Sequence, residues 1–130
     1  MNAPELFDYD WAEVRVAPHV HRGEVEPVGV VLHARRAHFL GVRLARPDAI
    51  AARCHLDPAC LGRFLEAYRR VGEADDAGPL GRLPPSERFH WMTATRSTVL
   101  QTSPIHTGRT RDAAAALDHL FHLHVSPALV

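Results

Sequence analysis

The sequence predicts an α+β domain: an antiparallel sheet of about four strands, a three-stranded meander plus one later strand, packed by two main helices and a short helix. Three observations carry that expectation. Up to Leu44 apolar residues recur with period two, and past Arg46 they recur at helical spacing. The connections between the first strands are also too short for crossovers, which favours antiparallel hairpins.

The first strand lies within Tyr9 to Pro18, where Ala12, Val14 and Val16 alternate with Trp11, Glu13 and Arg15, giving one apolar and one mixed face. Val28 to His33 is a continuous apolar run containing Gly29, and Ala37 to Leu44 sets His38, Leu40, Val42 and Leu44 against Phe39, Gly41 and Arg43. The linkers Arg22 to Pro27 and Ala34 to Arg36 close these three into the meander. Asp57 followed by Pro58 is an N-cap with a first-turn proline, after which Leu61, Phe64, Leu65, Tyr68 and Val71 mark a helix ending at Gly72. Asp75 to Pro85 reads as a surface loop, and Pro84 or Pro85 opens a short helix with Glu87, Phe89 and Trp91. Arg96 to Thr102, around Val99 and Leu100, is the expected fourth strand, and Ser103 to Gly108 the turn after it. Thr110 then caps a last helix burying Ala113, Leu117, Leu120 and Phe121.

Composition narrows the function classes. A chain of 130 residues with 46% apolar and 23% charged residues fits a single globular domain spanning 1–130. No apolar run approaches the ~20 residues of a membrane-spanning helix. Met1 to Tyr9 lacks the basic start and apolar centre of a signal peptide, so no membrane role is expected and the cytoplasm is the expected address. Fifteen basic and fifteen acidic residues cancel, which argues against nucleic acid as a partner. Every basic residue is Arg, and Asn2 and Gln101 are the only side-chain amides, a pattern of GC-rich coding that devalues arguments from Arg, Ala or His abundance. Cys54 and Cys60 fit neither a redox pair nor a zinc ribbon and read as buried apolar residues.

Arg88 to Gly108, RFHWMTATRSTVLQTSPIHTG, concentrates the chemistry-bearing side chains. Arg88, His90, Trp91, Arg96, Ser97, Thr98, Gln101, Ser103 and His106 fall in one short stretch, and Arg15 joins them as a candidate from the first strand's mixed face. Arginine forks, hydroxyls and a glycine-ended turn suit an anion or nucleotide pocket, with Arg88 and Arg96 as clamps and His106 as acid or base. The same residue types also cap turns and helices, and Arg88 could simply pair with Glu87. His19 with His21, and His119 with His122 and His124, lack the three convergent ligands of a catalytic zinc site, so no metal is expected. No GXSXG, Walker or GXGXXG motif is present, so no catalytic residue and no cofactor is assigned, and the balance leans away from an enzyme.

Two segments carry a resemblance: YDWAEVRVAPHVHRGEVEPVGVVLH, from Tyr9 to His33, and the block from Arg88 to Gly108. Through them the chain resembles a bacterial domain-of-unknown-function family, number 3037, of short stand-alone proteins. The family's signature positions fall here on Arg15, Pro18, Arg22, Glu24, Gly29, Arg88, Phe89, Trp91, Arg96, Ser97, Thr98, Gln101, Ser103, Pro104, His106 and Gly108. Where its pattern usually has Asn before Val28, this chain has Pro27, so no amide role is carried over there. The resemblance brings no established activity. It implies an accessory role beside a HipA-like kinase, and hence a non-catalytic binding protein that engages a protein partner through the polar block and the Trp11, Glu13 and Arg15 face.

Overall fold

The computed structural model describes residues 5–19, 22–95 and 98–130. Period-two alternation yields the expected meander: β1 (Phe7–Val16), β2 (Glu26–Ala34) and β3 (Phe39–Leu44) pair antiparallel in that order. The fourth strand departs from expectation. Instead of one strand over Arg96 to Thr102 and then a turn, two short strands, β4 (Leu100–Thr102) and β5 (His106–Thr110), pair one after the other along the free edge of β1. The antiparallel sheet therefore has five strands, in the order β3-β2-β1-β4 with β5 also on β1.

Four helices flank it. Pro47 starts α1 (Pro47–Cys54), a helix not foreseen above, which packs on α2 and stops where His55 turns left-handed at φ 56°. Asp57 caps α2 (Pro58–Glu73) as expected: its Oδ2 accepts from the Cys60 N–H at 3.0 Å. Inside the expected surface loop a 3₁₀ turn forms over Gly78–Arg82, and α3 (Pro85–Met92) follows. The last helix, α4 (Ala113–His124), is capped by Asp112 rather than Thr110. The Asp112 carboxylate reaches the Ala115 N–H, whereas Thr110 closes β5 and its hydroxyl bonds Asp112 backbone. A 3₁₀ turn over Pro127–Leu129 ends the chain's regular structure.

Directly opposed residues in an antiparallel pair share a face, so the register sorts the layers. Ala12, Val31 and Val42 point to one side, where Gly72 of α2 comes so close to Val42 that a β-carbon there would lie 2.8 Å from its Cγ1. His33, on the same side, stacks on Phe89 of α3. Trp11, Leu32 and Gly41 point to the other side, with Arg43, whose guanidinium lies 4.4 Å from the Phe121 ring centroid of α4. The sheet is thus a middle layer, with α2 and α3 on one face and α4 on the other. That is why β2 is buried without interruption from Val28 to Ala34. The core joins the apolar face of β1 to Leu61, Leu65, Tyr68, Phe89, Met92, Leu117 and Phe121. No described helix is long and apolar enough to cross a membrane.

Candidate functional site

Arg88 to Gly108 runs through α3, a connection, β4 and β5, and the fold spreads its side chains over both sides of the sheet. Arg88 points inward and is 8% exposed. Its Nη1 donates to the carbonyls of Val71 and Gly72 at 2.9 Å each, and its Nε donates to Leu83 at 3.0 Å. The guanidinium therefore binds carbonyls in the last turn of α2, where Val71 otherwise receives only a long 3.4 Å bond from the Ala74 N–H, and where a cation also meets the negative end of the helix dipole. It pairs with neither Glu87 nor an anion pocket. His90 is exposed on the same helix, and Trp91 is half-buried beside α2. Arg96 and Ser97 lie outside the described residues.

Thr98 and Gln101 serve their own turn: the Thr98 hydroxyl donates to the Leu100 carbonyl, and Gln101 Nε2 donates to the Thr98 carbonyl, both at 2.9 Å. Ser103 is 3% exposed and fills the break between β4 and β5. Its N–H donates to the Glu13 carbonyl at 2.9 Å, and its Oγ accepts the Glu13 N–H at 2.8 Å while donating to the Pro104 carbonyl. His106 opposes Trp11 across β5 and β1, their ring centroids 4.9 Å apart. It lies on the α4 side of the sheet and Arg88 on the other, so the acid–base group and this clamp do not converge.

The mixed face of β1 is a closed network. Glu13 accepts from Arg15 Nε at 2.9 Å on one oxygen and from His124 Nδ1 at 2.8 Å on the other. Trp11 lies against both His124 and His106. Glu13, Arg15 and Trp11 thereby anchor the C-terminal turn of α4 to the sheet. Of the other histidines, His122 bonds the Asp118 carbonyl, His119 is exposed, and His21 lies outside the described residues. Among the described residues no three His, Cys, Asp or Glu side chains group as metal ligands. Burial raises the Cys54 thiol above its ordinary value, the Glu26 carboxylate adding to the effect, so Cys54 is held as thiol; Cys60 is only partly buried.

The open concavity lies elsewhere. A cleft of about 500 Å³ between α2 and β4 is lined by Phe64, Ala67, Tyr68, Trp91, Thr98, Val99 and Leu100. Across Ala67 and Trp91 it adjoins a second cleft of about 710 Å³, walled by Pro58, Gly62, Arg63, Arg70 and Leu80 among others. Phe64, which shares the helical spacing of Leu61, Leu65, Tyr68 and Val71, is 54% exposed here. Leu61, Leu65, Tyr68 and Val71 fill the arc the sheet can cover, and Phe64 overhangs its edge. The outer surface of α2 is held by ion pairs: hydrogen bonds from Arg69, and then Arg70, bring the Glu66 carboxylate down to about 2. Arg63, in the wall of the larger cleft, makes no ion pair among the described residues.

Compared with known proteins, residues 11–125 match the profile of a family described as "Protein of unknown function (DUF3037)". Neither a curated protein nor a solved structure matches the chain.

Proposed function

The chain belongs to the DUF3037 family, whose description assigns no activity, and from its surface we propose that it is a non-catalytic binding domain that receives an apolar segment of a protein partner in the cleft between α2 and β4. The observation that carries this reading is Phe64, an aromatic side chain left 54% exposed beside Trp91, Val99 and Leu100 on a concave apolar surface. Aromatic anchors in concave patches are where interfaces concentrate their energy. Arg63 at the adjoining rim, which makes no ion pair among the described residues although Glu66 and Asp76 line the same cleft, favours a segment that follows its apolar anchor with a carboxylate. The partner the resemblance implies, a HipA-like kinase, is the first to test.

The test is titration calorimetry of the whole chain with that kinase, repeated for Phe64→Glu and Val99→Asp. The expected result is a complex at micromolar concentration that each substitution weakens by at least about tenfold, or about 1.4 kcal/mol. No complex with wild type, or undiminished binding by both variants, overturns the reading. A thermal-shift screen of nucleotides and sugar phosphates addresses the alternative of a small-anion site or enzyme. A ligand at about a hundred times its Kd adds about 2.7 kcal/mol of stability, so a hit among those anions would favour that alternative. The alternative is weakened at Arg88, whose Nε and Nη1 are engaged with Leu83, Val71 and Gly72 and whose side chain is buried.

A further inference from the structure

We propose that the polar pocket between the start of β1 and the β2–β3 turn binds a small zwitterion, a molecule carrying both an ammonium and a carboxylate, as free amino acids and short peptides do. The pocket measures about 240 Å³ and is lined by Asp8, Tyr9, Asp10, His33, Arg35 and Arg36. It lies apart from the α2 cleft and shares no lining residue with it, so the inference stands independently of the partner reading.

Its charges sort by what they already hold. Asp8 pairs with Arg109 at 2.9 Å, and Arg36 with Glu5 at 3.7 Å. Asp10 and Arg35 make no ion pair with each other or with any other described residue, although both face the pocket. One uncompensated carboxylate and one uncompensated guanidinium thus share a small concavity. A simple anion there would meet Asp10, and a simple cation would meet Arg35. A ligand carrying both charges satisfies the two at once, each as a charge-assisted hydrogen bond.

His33 supplies the third group. It is only 9% exposed and its ring lies 5.5 Å from that of Phe89, centroid to centroid. Neither ring nitrogen has a hydrogen-bond partner among the described residues, yet no buried polar side-chain atom there is left unsatisfied. The nitrogens therefore keep a path to solvent, and the pocket His33 lines provides it. Burial first, and then the Arg35 and Arg88 charges, hold the imidazole below its ordinary value, against the opposing pull of Asp10. Near neutral pH it stays uncharged and offers one donor and one acceptor without disturbing the charge balance.

The experiment is an NMR titration of the full chain near pH 7, following the His33 ring resonance, which is assigned by its loss in His33→Gln. The probes are glycine and L-alanine, glycylglycine as a longer zwitterion, and acetate and methylammonium as half-ligands. Saturable shifts with at least one zwitterion, at affinities about tenfold or more above either half-ligand, are the expected result. Glycine against glycylglycine then tells a free amino acid from a peptide. Asp10→Asn, at a half-buried position, and Arg35→Gln, at an exposed one, should each weaken the zwitterion by about tenfold or more. The proposal is overturned if no zwitterion shifts His33 saturably, if acetate alone binds as well, or if both variants bind like wild type. The wild-type titration decides it even where a variant folds poorly.

Discussion

Arg88 is a polar residue whose chemistry faces inward. Three carbonyls, of Val71, Gly72 and Leu83, converge on one guanidinium, and a planar fork with donors on two edges is the side chain that can meet them together. Arg88→Ala would leave buried acceptors unpaired and should cost on the order of 3 kcal/mol in urea unfolding. Arg88→Lys should recover less than half of that, because a single ammonium cannot span the carbonyls of α2 and Leu83. Charge removal at an exposed neighbour, Glu87→Gln, should cost less than about 1 kcal/mol in the same assay, since it loses only a carboxylate in the first turn of α3. His33 makes a pH prediction. Its folded-state value lies below the ordinary 6.5, chiefly through burial. Between the two values the unfolded chain binds more protons than the folded one, so stability rises with pH there. The contribution is complete above pH 6.5 and is lost as pH falls toward and through the folded value. Comparing wild type with His33→Gln by urea unfolding at steps from about pH 7.5 to about pH 5 should give a shallower acid loss in the variant. Equal slopes would mean that His33 titrates normally.

The β4–β5 edge explains why the polar block reads as a loop and folds as a strand. The register sum changes by one between the Val14–Thr102 and Trp11–His106 pairs, so Ser103, Pro104 and Ile105 oppose only Ala12 and Glu13. This is the arithmetic of a bulge, and it falls where Pro104 has no N–H to give to a ladder. The Ser103 side chain takes over by accepting the Glu13 N–H. Ser103→Ala should therefore strand a buried donor and cost about 1–3 kcal/mol, with loss of hydrogen-exchange protection at Glu13 before the rest of β1. Unchanged protection there would show that Ser103 Oγ is dispensable. The meander, the α2 cap and the buried face of α4 were legible because each rests on local periodicity or a cap with its partner three residues away. The split strand was not, since Ser, Pro and Gly are turn residues by local rules. Gly108 illustrates the failure: no turn needs it, but a β-carbon there would fall 2.4 Å from the Tyr9 ring across the strand pair. The Thr110 and Asp112 caps differ by two residues for a related reason, because both carry cap chemistry and the strand pairing takes Thr110 first. Nothing in α1 carries a wide apolar stripe, and its eight residues hold their place largely by packing on α2.

Across the whole molecule, two helical layers on one sheet decide which residues remain for binding. Covering both faces draws the mixed side of β1 into the fold, where Glu13 joins Arg15 and His124, and turns Arg88 and Ser103 into internal partners. What one sequence segment concentrates, the three-layer arrangement separates, and no local pattern records which side of a sheet a later helix will occupy. The same arrangement leaves the Phe64 flank of α2 uncovered, and that is invisible to periodicity because Phe64 keeps helical spacing with the true core residues. If the core closes without it, substitution should separate folding from binding. Phe64→Glu should unfold in urea within about 0.5 kcal/mol of wild type, as surface positions do. Phe89→Ala, which empties a site only 5% exposed, should cost about 3–5 kcal/mol. A large destabilisation by Phe64→Glu would mean that Phe64 belongs to the core after all, and any loss of partner binding in that variant would then report unfolding. With its stability intact, the same loss reports the cleft.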